Sequence, residues 1–359
     1  MNLAMQWVEL VEQGPRNAQG RLAHLCLRGM SVFYGLALDA NLELYRRAIL
    51  KRHPAGLPVI SIGNLTLGGT GKTTFTQMLA RQLLDLGQRP AILLRAYKRG
   101  LRDHCDEYEV YRAGLPEAVQ ILEGRNRVAS AARARSEGAT VALLDDGHQY
   151  LKLSKDLRIL LFDCTQPRHL DRLFPAGMLR QPLSHVATAD LVGLTRCDQA
   201  GPEAVARMRA RLRSAGAQGD FVECAHRPTC LVDGRTGERL GARELAGQRV
   251  VAVSGIGNNE AFGRTVASLG VEVARHLRFP DHHAFSARDA DHITAEVESR
   301  QVSCVVTTAK DAPRLAPVLR RVDFVAVRVE MEILSGAELL RARLSSIGLT
   351  PGEPGAAHA

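Results

Sequence analysis

The sequence predicts an α/β protein built on a parallel β-sheet, followed by a second, smaller α/β domain. From residue 58 onward, short apolar runs alternate with stretches of helical periodicity. Several runs are apolar almost throughout, which is typical of strands covered on both faces of a parallel sheet. The first run, PVISI at 58–62, leads directly into a glycine-rich stretch, GNLTLGGTGKTTF at 63–75. The runs and their alternation indicate the fold class, and the glycine-rich stretch points to function.

The first domain is predicted at 57–215. Its strands are expected at 58–62, 90–95, 140–144, 157–162 and 189–195. A helix over 72–86 follows the glycine-rich stretch, and a basic, alanine-rich helix over 202–215 ends the domain.

The second domain is predicted at 216–345, where the same alternation restarts. Its strands are expected at 249–253, 271–278, 303–307 and 323–329. Its helices are expected at 259–269, 287–300 and 336–344. The tail at 346–359 ends in PGEPGAAHA and is predicted to be disordered.

Composition narrows the class of partner. The chain has 359 residues and a net charge of +9, which favours an anionic partner. Aromatic residues make up only 4%, so a base-stacking surface is not expected and we predict no nucleic-acid partner. The seven cysteines are scattered without a CxxC pair, which indicates reduced thiols in a cytoplasm. No signal peptide and no apolar run long enough to cross a membrane are expected.

The segment 1–56 is predicted to form an amphipathic helix. Its best apolar run is GMSVFYGLAL at 29–38. Basic residues surround this run: Arg21, Arg28, Arg46, Arg47, Lys51 and Arg52. From the residues alone, such a helix either packs its apolar face on the core or lies flat on an anionic membrane.

The glycine-rich stretch has the context of a phosphate-binding P-loop, because a strand precedes it and a helix follows it. Glycines let backbone N–H groups approach phosphate oxygens, and the helix N-terminus adds positive charge. Lys72 would reach the β and γ phosphates of ATP, and the Thr73 hydroxyl would hold Mg²⁺. The expected nucleotide-binding residues are Thr66, Gly68, Gly69, Thr70, Gly71, Lys72, Thr73 and Thr74. Thr66 stands where the usual pattern has glycine.

A pair of carboxylates ends a later apolar run. Asp145 and Asp146 follow the strand predicted at 140–144. In P-loop proteins a carboxylate at such a strand end organises Mg²⁺ and its waters. We therefore predict a metal site made of Thr73, Asp145 and Asp146.

Six stretches together resemble one family. They are GNLTLGGTGKT (63–73), DDGHQY (145–150), DRLFPAGMLRQP (171–182), SGIGN (254–258), FPDHHAF (279–285) and TTAKDAPRL (307–315). Their order and spacing are similar to those of the tetraacyldisaccharide 4′-kinases of the lipid A pathway, over about residues 20–345. The resemblance includes Thr66 in the loop.

The resemblance implies a reaction and a location. ATP would phosphorylate the 4′-hydroxyl of a tetraacylated glucosamine disaccharide 1-phosphate at the cytoplasmic face of the inner membrane. The active site is expected in the cleft between two α/β domains. The resemblance also favours the anionic membrane surface, rather than the core, as the partner of the N-terminal helix, so the protein is expected to be peripheral.

The resemblance also implies roles for individual residues. Lys72 and Asp146 are expected in catalysis, together with His282, which Asp281 would orient; His283 is an alternative to His282. Substrate-binding residues are expected to be Arg95, Tyr97, Arg125 and Gln149. Arg127 belongs to the same basic stretch as Arg125. Lys98, Arg99 and Arg102 are either contacts for the 1-phosphate of the substrate or a solvated loop.

The sequence departs from the family pattern at the expected catalytic base. The family carries a Gly-Asp-Glu-Pro stretch before a GRNR-like segment, and its Asp works with the DHH histidine. We expect this Asp near AGLPEAVQ at 113–120, where Leu115 takes its place, and Glu117 is the candidate base from a shifted position. Asp103 and Asp106 are further options. DDGHQY lacks the usual Phe-Gln-His, and Ala309 replaces a common Glu.

These departures leave other functions open. The chain is either an active 4′-kinase with a relocated base, a member acting on another lipid acceptor, or a nucleotide-binding regulatory protein without transfer activity. A fourth interpretation is a GTPase-like switch, because TRCD at 195–198 follows a buried strand, where guanine-reading proteins carry a similar Asp.

Overall fold

The structure, a computed structural model, describes residues 7, 10–11, 14–15, 17–95, 105–302 and 304–350. The chain forms two compact units. The first comprises Met1–Cys224 and Ile333–Ala359, and the second comprises Ala225–Glu332.

The first unit is built on a parallel sheet. Its strands are β1 (Val59–Gly63), β2 (Pro90–Leu94), β3 (Gln120–Glu123), β4 (Val141–Asp145), β5 (Leu157–Asp163), β6 (Leu191–Thr195) and the start of β7 (Asp220–Asp233). They are ordered β7-β6-β5-β1-β4-β2-β3. β1, β2, β4 and β6 are buried along their whole length, which explains their continuous apolar sequences. Because every pairing from β3 to the start of β7 is parallel, all carboxyl ends of these strands lie at one edge.

Helices cover this sheet and extend from it. They are α1 (Ala18–Arg46), α2 (Lys72–Asp85), α3 (Asp106–Gly114), α4 (Arg127–Ser136), α5 (Cys197–Ala200) and α6 (Pro202–Ser214), with 3₁₀ turns at Pro167–Leu170 and Leu183–Thr188. The core between β5, β6 and α6 is apolar, with Phe162, Leu194 and Leu212 fully enclosed. Among the described residues no helix combines the length and the apolar character that crossing a bilayer requires.

The second unit is also built on parallel strands. Its elements are β8 (Arg239–Gly241), β9 (Arg249–Ser254), α7 (Asn259–Ala267), β10 (Glu272–Arg278), α8 (Ala287–Arg300), β11 (Cys304–Thr308), α9 (Ala312–Leu315) and most of β12 (Phe324–Ser335). The parallel order is β10-β9-β11-β12, and β8 pairs antiparallel with the later part of β7. Apolar clusters lie on both faces of these strands, one around Val250 and Val306 and the other around Val251 and Ile293.

The predicted fold class is confirmed, but the chain divides elsewhere than at 215–216. The first unit continues to Cys224 because the start of β7 pairs with β6. The last helix, α10 (Ala337–Ser346), also belongs to the first unit rather than to the second. There Arg343 pairs with Asp220 at 2.9 Å. The predicted tail, 346–359, is described only to residue 350, where Leu349 is buried.

Candidate active site

The glycine-rich stretch forms a loop (64–71, the phosphate loop) between β1 and α2. Gly68 and Gly71 have φ values of 100° and 87°, a left-handed conformation that side-chain-bearing residues rarely adopt. Gly71 is the N-cap of α2, so Lys72, Thr73 and Thr74 form its first turn. No acidic residue lies in that turn. The helix N-terminus is therefore positively polarised, as phosphate binding requires.

Lys72 and the carboxylate pair come together at the carboxyl edge of the sheet. Lys72 Nζ lies 3.6 Å from Asp146 Oδ1 and donates to Asn64 Oδ1 at 3.2 Å. Arg180 Nη1 donates to Asp146 Oδ2 at 3.0 Å, and Arg180 Nη2 donates to Asp146 Oδ1 and to Asn64 Oδ1. Two cations thus converge on one carboxylate, and an arriving phosphate would meet both.

The two adjacent carboxylates have opposite electrostatic environments. Burial raises the pKa of Asp145 to about 6, although the charge of Lys72 acts in the other direction. Burial also pushes the pKa of Asp146 upward, but Lys72 and Arg180 outweigh it and hold that pKa well below its usual range. Asp146 is therefore a carboxylate at every physiological pH, whereas Asp145 sits close to its titration midpoint in slightly acidic solution.

These residues fit a magnesium ion. Asp145 Oδ2 accepts from the Tyr111 hydroxyl at 2.8 Å, while buried Asp145 Oδ1 has no hydrogen-bond donor among the residues that the structure describes. A buried carboxylate oxygen without a donor is suited to a cation or its water. Thr73, in the first turn of α2, supplies the hydroxyl that the P-loop pattern assigns to the metal.

A strap formed by residues 172–181 connects the phosphate loop to α1. Leu67 N donates to Met178 O at 2.7 Å, and Thr66 forms a β-bridge with Leu179. On the other side, Ser31 Oγ donates to Leu173 O at 2.9 Å, and Tyr34 OH donates to Arg180 O at 3.1 Å. The strap thereby fixes Arg180 against Asp146 and holds α1 on the first unit.

The predicted substrate-binding residues differ in how close they lie to the phosphate loop and in how exposed they are. Gln149 donates to Asn64 O at 3.0 Å, so it lies beside the phosphate loop. Arg95 follows β2 directly at the carboxyl edge and is exposed. Arg125 is also exposed, whereas Arg127 is buried and stacks on Tyr150 at 5.1 Å. Tyr97 lies outside the described residues, as do Lys98, Arg99, Arg102 and Asp103.

Glu117, the residue assigned as base, is not brought to the phosphate loop. It lies in the turn before β3, at the amino ends of the parallel strands, which is the opposite edge of the sheet. Its side chain is 95% exposed, and Arg112 lies 3.9 Å away. The assignment of Glu117 is corrected because the loop preceding a parallel strand cannot reach the edge where the strands end.

Asp106, unlike Glu117, lies at the carboxyl edge of the sheet. Gln77 Nε2 of α2 donates to Val110 O of α3 at 3.0 Å, and Arg81 Nη2 donates to Gly114 O at 2.6 Å; both pairs are 33 residues apart. The two helices therefore run side by side in the same direction. The same offset of 33 residues places Asp106, at the start of α3, at the same height along the helix axes as Thr73, at the start of α2. Asp106 and Glu107, in the first turn of α3, thus lie near the amino end of α2 at the carboxyl edge of the sheet.

In the second unit, the two histidines of FPDHH differ. His282 has a φ of 58°, a left-handed conformation, and its backbone N donates to Gly255 O at 3.1 Å. Asp281 Oδ1 lies 3.9 Å from His282 Nε2. His283 instead stacks on Phe279 with ring centroids 4.7 Å apart and shares a hydrogen bond with Asp289 at 3.1 Å. His283 is therefore built into the packing of the unit.

A buried ion pair supports this histidine loop. Asp311 and Arg314, from the TTAKDAPRL stretch, are 0% and 6% exposed and lie 2.6 Å apart. Asp311 Oδ2 accepts from Gly255 N at 3.0 Å, and Arg314 Nη1 donates to His283 O at 3.3 Å. The SGIGN, FPDHH and TTAKD stretches are thus joined at the carboxyl ends of the parallel strands of the second unit.

Sequence reasoning missed Asn64, Tyr111 and Arg180. Asn64 and Arg180 lie inside stretches that carried the family resemblance, so the signal for them was present. Tyr111 had no such signal, because only folding brings α3 beside β4.

A strand, a glycine-rich loop and a helix, with a lysine facing paired carboxylates, define a P-loop nucleotide-binding protein. The family model for tetraacyldisaccharide-1-P 4′-kinase matches residues 23–347, and the chain belongs to this family.

Similar proteins agree with this membership. The tetraacyldisaccharide 4′-kinase of Anaeromyxobacter dehalogenans (strain 2CP-C) is 38% identical over 321 residues, covering 84% of this chain and 85% of that protein. The protein of the same name from Anaeromyxobacter sp. (strain Fw109-5) is 37% identical and covers 95% of this chain and 96% of its own. The crystal structure of "apo" form LpxK from Aquifex aeolicus in complex with ATP has a TM-score of 0.69 at 26% identity. It covers 90% of this chain and 99% of that one.

Proposed function

We propose that this chain is a kinase that transfers the γ-phosphoryl group of ATP to the 4′-hydroxyl of a tetraacylated disaccharide 1-phosphate in lipid A synthesis. The observation that carries the proposal is the phosphate loop, with Lys72 held 3.6 Å from Asp146 at the start of α2. The names of the relatives and the ATP in the Aquifex aeolicus LpxK crystal support it.

Catalysis in this proposal rests on positioning and charge. A sugar hydroxyl is a poor nucleophile, so it must be aligned with the γ-phosphorus while negative charge on the phosphoryl oxygens is neutralised. Lys72 and the N–H groups at the start of α2 supply positive charge. Thr73, Asp145 and Asp146 would hold Mg²⁺, which adds charge neutralisation on the β and γ oxygens when bound.

We propose Asp106 as the base in the first unit and His282 as a catalytic residue in the second unit. Asp106 lies level with Thr73, and Cys105 N, just before it, donates to Glu123 Oε1 at the end of β3 at 2.9 Å. This contact fixes the start of α3 at the carboxyl edge. His283 stacks on Phe279 and shares a hydrogen bond with Asp289 as part of the packing of its unit, so we assign the role to His282. Asp281 would orient His282.

Acceptor binding is proposed at the same edge. Gln149 and Arg95 follow β4 and β2 at their carboxyl ends, and Arg125 follows β3. An arginine is suited to the 1-phosphate of the acceptor because its planar guanidinium binds phosphate oxygens in pairs.

The lipid acceptor and α1 suggest a peripheral site of action on the cytoplasmic face of the inner membrane. Leu22, Leu25, Phe33 and Leu36 are each more than 60% exposed and recur at helical spacing, away from the buried His24. Arg21 and Arg28 on the same helix would meet anionic headgroups. Replacing Phe33 by Ser should reduce cosedimentation with phosphatidylglycerol vesicles without lowering transfer in detergent micelles.

The direct test follows labelled phosphate from ATP to the tetraacyl disaccharide 1-phosphate in detergent micelles. Wild-type protein should form a 4′-phosphorylated product, and Lys72→Ala should lower the rate by roughly 1,000-fold or more. Lys152→Ala, which removes an exposed lysine of the same unit, is the matched control and should match the wild type. ATP binding without product would contradict the proposal.

A further inference from the structure

The stretch TRCD at 195–198 has no role in the reaction proposed above, yet two of its side chains contact the phosphate loop. Arg196 Nη1 donates to Gly69 O at 3.0 Å, and Thr195 Oγ1 donates to Thr70 O at 3.0 Å. Two consecutive carbonyl groups of the phosphate loop are therefore bound by two consecutive residues at the end of β6.

Arg196 is held in place by a buried ion pair. Its side chain is 10% exposed and that of Asp163 is 2% exposed, and Arg196 Nη1 donates to Asp163 Oδ2. Asp163 Oδ1 accepts from Thr165 N at 2.9 Å, so both oxygens of this carboxylate are engaged. Arg196 also has a φ of 55°, a conformation that persists where surrounding contacts hold it. The guanidinium thus has one well-defined position beneath the phosphate loop.

Fixing a carbonyl group fixes the N–H group of the same peptide. A trans peptide is planar, and its N–H points opposite to its C=O. The carbonyl of Gly69 shares a peptide with Thr70 N, and the carbonyl of Thr70 shares one with Gly71 N. With both carbonyls turned toward β6, both N–H groups point away from it.

We infer that Arg196 and Thr195 are positioning residues for ATP, which orient the Thr70 and Gly71 amides toward the nucleotide phosphates by binding the carbonyls behind them. The inference rests on the proposed function, since ATP is the ligand. It also gives TRCD a role in phosphate binding in place of base recognition.

The test measures binding of a non-hydrolysable ATP analogue with Mg²⁺ by calorimetry. Thr195→Val removes the hydroxyl with little change of shape and should raise Kd about fivefold. Thr195→Ser retains the hydroxyl and should bind within about twofold of the wild type. Arg196→Gln removes a charged donor and should raise Kd roughly 30-fold. KM for the lipid acceptor should stay unchanged in all three variants. A general loss of structure would change it.

Arg343→Gln is the matched control, because Arg343 pairs with Asp220 in the same unit away from the phosphate loop. It should leave Kd unchanged. If Arg196→Gln fails to fold, the pair Thr195→Val and Thr195→Ser decides. Wild-type binding with an unchanged Kd in Thr195→Val would overturn the inference alone. A wild type that binds no ATP analogue would overturn the proposed function and the inference with it.

Discussion

The two units carry their candidate functional residues at the same place, the carboxyl ends of their parallel strands, but they hold them differently. In the first unit, Lys72 and Arg180 converge on Asp146, so opposite charges face one another at a partly exposed site. In the second unit, the charges of Asp311 and Arg314 are buried below the loop, and the side chain of His282 is 26% exposed.

The difference indicates two tasks. A partly exposed pair of cations is suited to bind a polyanion, because an incoming phosphate can replace the protein carboxylate as their partner. A buried ion pair below a loop is not accessible to a ligand. It holds backbone groups of the loop in place and thereby positions the side chain of the loop.

His282 and His283 should respond in different ways. His282→Asn, which keeps a residue tolerant of positive φ, should lower the transfer rate by roughly 300-fold and leave the melting temperature unchanged. His283→Gln should lower the melting temperature, because it loses the stacking on Phe279, and reduce the rate only a few fold. The opposite pattern in the two variants would reverse the roles.

The buried pair of the second unit should matter for stability. Arg314→Met leaves the Asp311 carboxylate buried without its cation, and it should cost about 3 kcal/mol of unfolding free energy. Arg249→Met breaks an exposed pair with Glu272 in the same unit and should cost less than about 1 kcal/mol. Denaturant titration of both variants measures the difference. Equal losses would show that burial of the pair is unimportant.

Acid should lower the free energy of unfolding of the first unit because His148 is buried there. Burial, with the charge of Lys155, lowers the pKa of His148 to about 3, so this ring stays neutral in the fold. The unfolded chain takes up a proton below about pH 6.5, so stability present above that pH is lost as pH falls toward 3. About 2 kcal/mol should be lost from this site between pH 7 and pH 5. His148→Gln should remove that slope in denaturant melts, whereas His292→Gln, at an exposed position, should keep it.

Much of this could be predicted from the sequence, because the decisive patterns are local. The apolar runs predicted all the described strands except β3, β7 and β8, and GTGKT predicted the start of α2 with Lys72 and Thr73. Residues whose role depends on folding were harder. Asp106 begins a nine-residue helix that the sequence analysis did not predict, so its alignment with Thr73 was hidden, and Glu117 was preferred. The unit boundary was missed because β7 is a single strand that passes from one unit to the next.

The measurement that tests the central claim most directly is the single-turnover transfer rate of Asp106→Asn and Glu117→Gln at saturating ATP and lipid acceptor. We propose that the chemistry takes place at the carboxyl ends of the parallel strands of the first unit. Asp106→Asn should therefore transfer roughly 100-fold more slowly than the wild type while binding ATP normally, and Glu117→Gln should match the wild type. A normal rate in Asp106→Asn together with a large loss in Glu117→Gln would contradict the account.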